Sequence, residues 1–171
     1  MRRPAEHVVL VVSLVAAIAF ASCGRGADLP PVKALHVRDL PALIADGGGD
    51  VTVLNIWASW CDPCKEEMPD MLKLRKEYAA KKVVVIFLSA DDPEDIDSLV
   101  RPLLAGLDVD FMTYCSADSS DDAFINGISP EWNGALPATI FYDKSASRRE
   151  MFVGKQTYGD LKDAVEGLLP Q

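Results

Sequence analysis

The strongest constraint on the fold is a pair of apolar, β-branched runs with an amphipathic helix between them. The runs cover residues 51–57 and 83–89, and both are almost continuously apolar. Strands of this kind are usually buried on both faces of a sheet. From residue 61 to about 80, apolar side chains recur at the helix period, and charged ones, Glu67 among them, occupy the other face. Strand, helix, strand in this order predicts two parallel strands joined by a right-handed crossover.

Further elements continue the alternation along the chain. Asp92 has the position of an N-cap for a helix that extends to about residue 103, and the last helix begins at a capping box of Thr157 and Asp160. Weaker patterns predict a helix at 40–44, a strand at 111–115, a polar loop at 118–122, a strand at 138–142 and its hairpin partner at 150–153. The pattern predicts an α/β domain with a mostly parallel central sheet and an antiparallel edge hairpin.

Composition narrows the class of protein. The chain has 171 residues, of which 49% are hydrophobic and 25% charged, a balance typical of one globular domain. Lys and Arg number 17 against 26 Asp and Glu, so the formal net charge is -9. Because an acidic chain lacks the basic surface that phosphate groups require, we expect no nucleic-acid partner.

The amino terminus has the pattern of a secretory signal. Two arginines precede an apolar run over residues 8–21, which is short for a membrane-spanning helix of about 20 residues. Residues 20–24 resemble a bacterial lipobox, although Phe20 stands where Leu is usual, and this resemblance implies that Cys23 is lipidated. An uncleaved anchor and a plain secretory signal cut elsewhere are the alternatives. In each case we expect the folded part outside the cytoplasm, on the periplasmic side of a bacterial membrane.

These observations divide the chain into three parts. We expect a lipoprotein-type signal peptide at residues 1–22, a flexible Gly- and Pro-rich tether at 23–38 and one folded domain at 39–171.

Two cysteines at the junction between the first apolar strand and the helix carry the clearest chemical signal. Cys61 precedes the helix, where unpaired backbone N–H groups and the positive end of the helix dipole favour a thiolate, the form that attacks a disulfide. Cys64, one turn further on, can then attack the mixed disulfide and release the product. Pro63 fixes the turn between them, and the charge of Asp62 opposes the thiolate somewhat. The spacing therefore predicts a redox-active dithiol.

Two other interpretations of this cysteine pair are weaker. A structural disulfide across so short a loop would stabilise little, because the entropic gain grows with loop length. A zinc site needs two more ligands, for which the sequence offers His7, His36 and the isolated Cys115. We therefore expect no metal and no cofactor. Cys115 ends a predicted strand, which favours a buried, inert thiol, with transient pairing or regulation as the alternative.

The motif residues resemble a known family. The segments Trp57-Ala58-Ser59-Trp60-Cys61-Asp62-Pro63-Cys64-Lys65 and Leu136-Pro137-Ala138-Thr139 are similar to those of the thioredoxin superfamily, in particular its extracytoplasmic TlpA/ResA-like branch. The similarity covers residues 40–169 and implies a thioredoxin-like fold with helices on both faces of the sheet. It also implies that Pro137 is cis and that an extended substrate peptide is bound by Trp60, Pro63, Leu136 and Pro137.

The resemblance further implies an activity. Members of this branch are membrane-tethered or lipidated oxidoreductases that usually reduce protein disulfides, often in cytochrome c maturation, with electrons from a membrane thiol transporter. The same role is expected here, with Cys61 as nucleophile, Cys64 as resolving thiol, protein thiols and disulfides as substrates, and the membrane reached through the lipid anchor. Asn55 stands where thioredoxins carry a buried Asp, so an acid is absent at that position. Asp91 is the nearest match to a Glu that assists proton transfer in ResA-like members.

Three alternatives stay open at this point. An oxidase or isomerase would use the same residues at a less negative reduction potential. A lipid-anchored binding module would keep the two cysteines only as a structural disulfide. A peroxidase is disfavoured because the sequence contains no Thr-x-x-Cys motif.

Overall fold

A computed structural model describes residues 29–170 of the chain, and the predicted signal peptide and Cys23 lie outside them. The strands are β1 (Val32–Leu35), β2 (Val51–Trp57), β3 (Val83–Ser89), β4 (Thr113–Ser116), β5 (Ala138–Asp143) and β6 (Arg148–Val153). The α-helices are α1 (Leu40–Asp46), α2 (Asp62–Tyr78), α3 (Arg101–Gly106), α4 (Asp121–Ile128) and α5 (Tyr158–Leu168). Short 3-10 turns cover Val37–Asp39, Ala79–Lys81 and Pro93–Asp95, and a π-helical turn covers Ile96–Val100. None of the helices described is long and apolar enough to cross a bilayer.

The six strands form one sheet in the order β1-β4-β3-β2-β5-β6. The first four of these run parallel to one another, whereas β5 is antiparallel to β2, and β6 is antiparallel to β5. Side chains of β2 alternate between two hydrophobic clusters, with Val53 and Trp57 on the face covered by α2 and α5, and Leu54 and Ile56 on the face covered by α1 and α4. The predicted mostly parallel sheet, with an antiparallel edge hairpin and helices on both faces, is confirmed.

The predicted start of the domain differs from the structure. The flexible tether predicted at residues 23–38 includes β1, which pairs in parallel with β4 from Val32 opposite Thr113 onward. The 3-10 turn that follows is also fixed, because the Val37 N–H donates to Asp118 Oδ2 at 3.0 Å. β1 is a short edge strand with exposed side chains at its centre, so its sequence lacks the apolar pattern of an internal strand.

Two other segments differ in detail. The predicted polar loop at 118–122 contains the start of α4, where the Ser120 hydroxyl accepts from the Ala123 N–H at 3.2 Å as an N-cap. The helix predicted from Asp92 is divided into a 3-10 turn, a π-helical turn and α3, with Pro102 in the first turn of α3. Pro102 has no N–H to donate to the preceding turn, and that turn is π-helical instead of α-helical.

Candidate active site

The two motif cysteines lie at the carboxyl end of the central strand. β2 ends at Trp57, and the chain then makes a turn that is closed by the Cys61 N–H donating to the Ala58 carbonyl at 3.1 Å. Cys61 is the N-cap of α2, and its sulfur accepts from the Cys64 N–H at 3.3 Å. The two sulfurs form a disulfide, and the Cα atoms are 5.3 Å apart. The predicted pairing of Cys61 with Cys64 is therefore present in the structure.

The two cysteines of the disulfide differ in their exposure to solvent. Cys61 is 6% exposed and Cys64 is 1% exposed, so an incoming sulfur can reach Cys61 more readily. The neighbouring Trp60 is 67% exposed, and Pro63 also lies at the surface. The disulfide thus sits just under the surface beside an accessible aromatic ring.

The predicted cis bond is found between Leu136 and Pro137. Ala138, the next residue, is paired with Ile56 of β2, so one step further in this antiparallel register Pro137 lies beside Trp57. The Pro137 carbonyl accepts from the Gly154 N–H at 2.7 Å, which ties it to the end of β6. The sheet therefore brings the cis-proline segment to the same edge as the cysteine turn.

A buried carboxylate that the sequence pattern missed lies one turn beyond Cys64. Glu67 is 1% exposed, and its oxygens accept from the Asn55 side-chain amide at 3.0 Å and from the Gln156 N–H at 2.7 Å. The Asn55 amide also donates to the Thr139 hydroxyl at 3.1 Å. Burial raises the pKa of Glu67 above its usual range. Asn55 has no acidic group, and Glu67 of α2 places a carboxyl group directly beside it.

The expectation that Glu67 lies on the polar face of the helix is wrong, and two signals in the sequence indicate that it is buried. Glu67 follows Cys64 by three positions, which places both on the same side of the helix. Asn55 in the middle of an otherwise apolar strand also requires a buried hydrogen-bond partner.

Asp91 lies beside the turn that leads to Cys61. Its carboxylate accepts from the Ser59 N–H at 2.9 Å, from the Ser59 hydroxyl at 2.6 Å and from the Ser89 hydroxyl. The Asp91 side chain is buried, and its hydrogen bonds hold the segments that follow β2 and β3 together. Its role in proton transfer stays a prediction.

Cys115 is a free cysteine in β4 and is fully buried, as expected of an inert thiol. Its sulfur lies 3.0 Å from the Asp91 carbonyl, to which the thiol donates. Burial raises the pKa of Cys115 to about 12. The thiol is therefore held in its protonated form at neutral pH, and its lack of reactivity stays a prediction.

Charges at the mouth of the site are largely paired. Lys65 lies 2.6 Å from Asp62, and this contact lowers the pKa of the Asp62 carboxyl. The Lys155 ammonium lies 2.7 Å from Glu66 on the next turn of α2. Lys65 therefore offsets the negative charge that Asp62 places near the sulfurs. Across residues 29–170, no three His, Cys, Asp or Glu side chains are grouped so as to hold a metal ion.

A sheet of this topology, with a Cys-x-x-Cys pair at a strand-to-helix turn and a cis-proline at the same edge, defines the class of thioredoxin-fold thiol-disulfide oxidoreductases. The chain belongs to the AhpC/TSA family, whose model matches residues 32–147.

Individual relatives agree with this assignment. The chain is 31% identical to the thiol-disulfide oxidoreductase ResA of Bacillus cereus over 138 residues, 81% of this chain and 70% of the relative. It is 29% identical to the thioredoxin-like protein YneN of Bacillus subtilis over 143 residues, 83% of this chain and 79% of that protein. A solved thiol:disulfide interchange protein of the thioredoxin family from Chlorobium tepidum has the same fold, with a TM-score of 0.61 and 18% identity, covering 83% of this chain and 97% of that one. The predicted resemblance to ResA-like oxidoreductases is confirmed.

Proposed function

We propose that this chain is an extracytoplasmic, membrane-tethered reductase of protein disulfides. The observation that carries the proposal is the Cys61–Cys64 disulfide at the start of α2, at the same sheet edge as the cis Leu136–Pro137 bond. One sulfur is accessible from the surface, and the other lies one helical turn deeper. The relatives named thiol-disulfide oxidoreductase support the same chemistry.

The reaction transfers two electrons and two protons to the substrate. In the reduced protein, the Cys61 thiolate attacks one sulfur of a substrate disulfide, and the second substrate sulfur leaves as a thiolate and takes up a proton. Cys64 then loses its proton and attacks the Cys61 sulfur, which releases the first substrate sulfur as a thiol. The substrate ends as a dithiol and the protein as the Cys61–Cys64 disulfide, which a membrane electron donor reduces again.

Glu67 is our candidate for the group that accepts the Cys64 proton. The two residues are three positions apart on α2 and therefore share one side of the helix. Burial raises the pKa of Glu67 toward the pH at which the reaction proceeds, and a base is most effective when its pKa is near that pH. Asn55 and the Gln156 N–H hold the carboxylate in place.

Substrate contact is assigned to the surface around the disulfide. Trp60 and Pro63 are exposed on one side of the cysteines, and Leu136 and Pro137 belong to the loop that precedes β5. An extended peptide could pair with the backbone of Leu136, as the family resemblance implies. Exposed aromatic surface next to a reactive sulfur suits the apolar part of an unfolded or partly folded substrate.

The reduction potential of the Cys61/Cys64 pair tests the proposed direction of electron flow. The full chain is equilibrated with glutathione or dithiothreitol redox buffers, and the thiols are trapped by alkylation. A value at or below the about -270 mV of thioredoxin supports a reductase, whereas one close to the about -120 mV of a strong oxidant overturns that direction. A pair that dithiothreitol cannot reduce leaves only the structural disulfide of a binding module.

Cytochrome c maturation is the specific process we propose for the reductase. The Cys-x-x-Cys-His segment to which c-type haem is attached must be a dithiol before attachment. A Cys64→Ser variant cannot resolve the mixed disulfide and should accumulate it with an oxidised Cys-x-x-Cys-His peptide. The matched Cys61→Ser variant should trap none. Equal trapping of an oxidised Cys-x-x-Cys peptide without His would contradict selectivity for this substrate.

Lipidation at Cys23 and removal of residues 1–22 complete the proposal. Labelled palmitate should enter the wild-type chain during expression in a bacterium, and the protein should fractionate with membranes. A Cys23→Ala variant should lose the label, while the neighbouring Ser22→Ala variant, which keeps a small residue before the cysteine, should retain it. Membrane fractionation of an unlabelled wild-type chain that keeps residues 1–22 would indicate an uncleaved anchor instead.

A further inference from the structure

We propose that Asp91 is a positioning residue, which acts through Ser59 to hold the turn that presents Cys61. This inference rests on the proposed disulfide exchange at Cys61 and Cys64. It assigns to the Asp91 carboxylate a fixed set of hydrogen bonds rather than the uptake and release of a proton.

Asp91, Ser59 and Ser89 form a hydrogen-bonded clamp. Two neighbouring parallel strands bring these three residues together. β2 and β3 end in register, with Trp57 opposite Ser89, and the Ala90 N–H donates to the Trp57 carbonyl at 2.8 Å. The chain therefore leaves both strands side by side. Asp91, two residues after the end of β3, meets Ser59, two residues after the end of β2.

The carboxylate binds Ser59 with both oxygens. Oδ2 accepts from the Ser59 N–H at 2.9 Å, and Oδ1 accepts from the Ser59 hydroxyl at 2.6 Å. A single hydrogen bond would leave the residue free to rotate, whereas two bonds from one rigid group fix both its position and its orientation. Because these bonds are made to a carboxylate, each is stronger than its neutral counterpart.

Asp91 is itself held in place by residues of β3 and β4. Its N–H donates to the Ser89 hydroxyl at 3.0 Å, and the same hydroxyl donates to its carboxylate. Its carbonyl accepts from the Cys115 thiol at 3.0 Å. Asp91 is 4% exposed, and Ser89 and Cys115 are both fully buried. The clamp therefore extends from β4 through β3 to the cysteine turn.

The outer part of the turn needs such support because Trp60 is exposed there. Ser59 and Trp60 are its two central residues, between the Ala58 carbonyl and the Cys61 N–H that close it. Trp60 is 67% exposed, so its packing fixes the outer part of the turn only weakly. The position of the Cys61 sulfur depends on this turn, and a misplacement of about 1 Å can slow a reaction about 100-fold.

The hydrogen bonds of the Asp91 carboxylate are made to serine groups, as a positioning role requires. Its carboxylate oxygens accept from Ser59 and Ser89, and neither Cys61 nor Cys64 is among their hydrogen-bond partners in residues 29–170. An asparagine can keep the same geometry. Its amide oxygen would accept from the Ser59 N–H and Ser89, and its amide nitrogen would donate to the Ser59 hydroxyl, which can accept as well as donate.

The test compares Asp91→Asn with Asp91→Ala in the full chain, with an oxidised Cys-x-x-Cys-His peptide as the disulfide substrate and dithiothreitol as the electron source, and the rate without protein is subtracted. Positioning predicts that Asp91→Asn retains the wild-type rate within threefold and the wild-type pH profile, whereas Asp91→Ala loses at least tenfold. Proton transfer would make the two variants equally slow. That result, with an active wild-type chain, overturns the inference and leaves the proposed function standing.

A Ser59→Ala variant tests the same contact in case Asp91→Ala loses activity because it does not fold. It removes only the hydroxyl bond and should slow the reaction threefold to tenfold, with an unchanged circular dichroism spectrum. In the Ser59→Ala, Asp91→Ala double variant, the rate should equal that of Asp91→Ala alone. Fully multiplicative losses would show that the two residues act independently and would refute the clamp. A wild-type chain that leaves the oxidised Cys-x-x-Cys-His peptide intact would remove the proposed function and this inference together.

Discussion

Replacement of Glu67 by Gln should stabilise the protein at neutral pH and remove part of its pH dependence. Glu67 is almost fully buried, and burial raises the pKa of its carboxyl. Gln has the same shape and still offers an oxygen to the Gln156 N–H. If the Asn55 amide turns over, its oxygen can accept from the new amide group, and the Thr139 hydroxyl can donate to that oxygen. The variant therefore keeps the contacts and loses only the buried charge.

The size of the effect follows from proton linkage. Below the ordinary Glu pKa of about 4.3, the carboxyl is protonated in both the native and the unfolded state, and its ionisation does not affect stability. Between that value and the raised native pKa, the native state alone holds the proton. The free energy of unfolding of the wild type then falls by about 1.4 kcal/mol per pH unit relative to the variant. Above the native pKa the difference is constant.

Urea unfolding of the oxidised full chain at intervals from about pH 4 to pH 9 measures this difference. The curves of the wild type and Glu67→Gln should meet at the acid end and separate as the pH rises. Glu66→Gln is the matched control, because Glu66 is exposed and bonded to Lys155 at the surface, where such pairs contribute about 0–1 kcal/mol. Wild-type and Glu67→Gln curves that stay parallel throughout would refute the reasoning.

Three further predictions concern the scaffold and the free thiol. Thr157→Ala removes half of the capping box of α5 and should lower the free energy of unfolding by about 1 kcal/mol in urea, with no change at the disulfide. Leu54→Ala creates a cavity in the fully buried centre of β2 and should cost about 2–5 kcal/mol in the same assay, and a loss below about 1 kcal/mol would contradict the packing described. Because burial raises the pKa of Cys115 to about 12, iodoacetamide should leave Cys115 unmodified in the native reduced chain at about pH 8 and modify it in denaturant, as read by peptide mass spectrometry.

The central part of the fold could be predicted because its signals are local. β2 and β3 are buried on both faces, so nearly every residue in them is apolar, and α2 between them shows the helix period. The cysteine turn lies between β2 and α2, and its place follows once both are located. The cis state of Pro137 came from the family resemblance, since sequence alone favours trans at X-Pro bonds.

The parts that were missed depend on distant partners. β1 contributes only four residues, and its pairing with β4 is decided by a strand about 80 positions away. The sequence pattern predicts Glu67 as one more exposed charge on an amphipathic helix. In the structure it is buried, because the Gln156 N–H, 89 positions along the chain, donates a hydrogen bond to it. Only its spacing of three residues from Cys64 separates Glu67 from its exposed neighbour Glu66 in the periodicity of α2. Local sequence patterns do not predict polar contacts between residues that are far apart in the chain.

For the proposed lipid site at Cys23, the pairing of β1 would limit the distance between the domain and the bilayer. Nine residue steps join Cys23 to Val32, which is a reach of about 30 Å at full extension. Val32 pairs with Thr113 of β4, and the next residue, Tyr114, pairs with Leu88 of β3, so β1 begins level with Asn55, near the carboxyl end of β2. The tether therefore joins the sheet near the end that carries Cys61. An electron donor in that membrane would then reach the disulfide without passing the full height of the sheet.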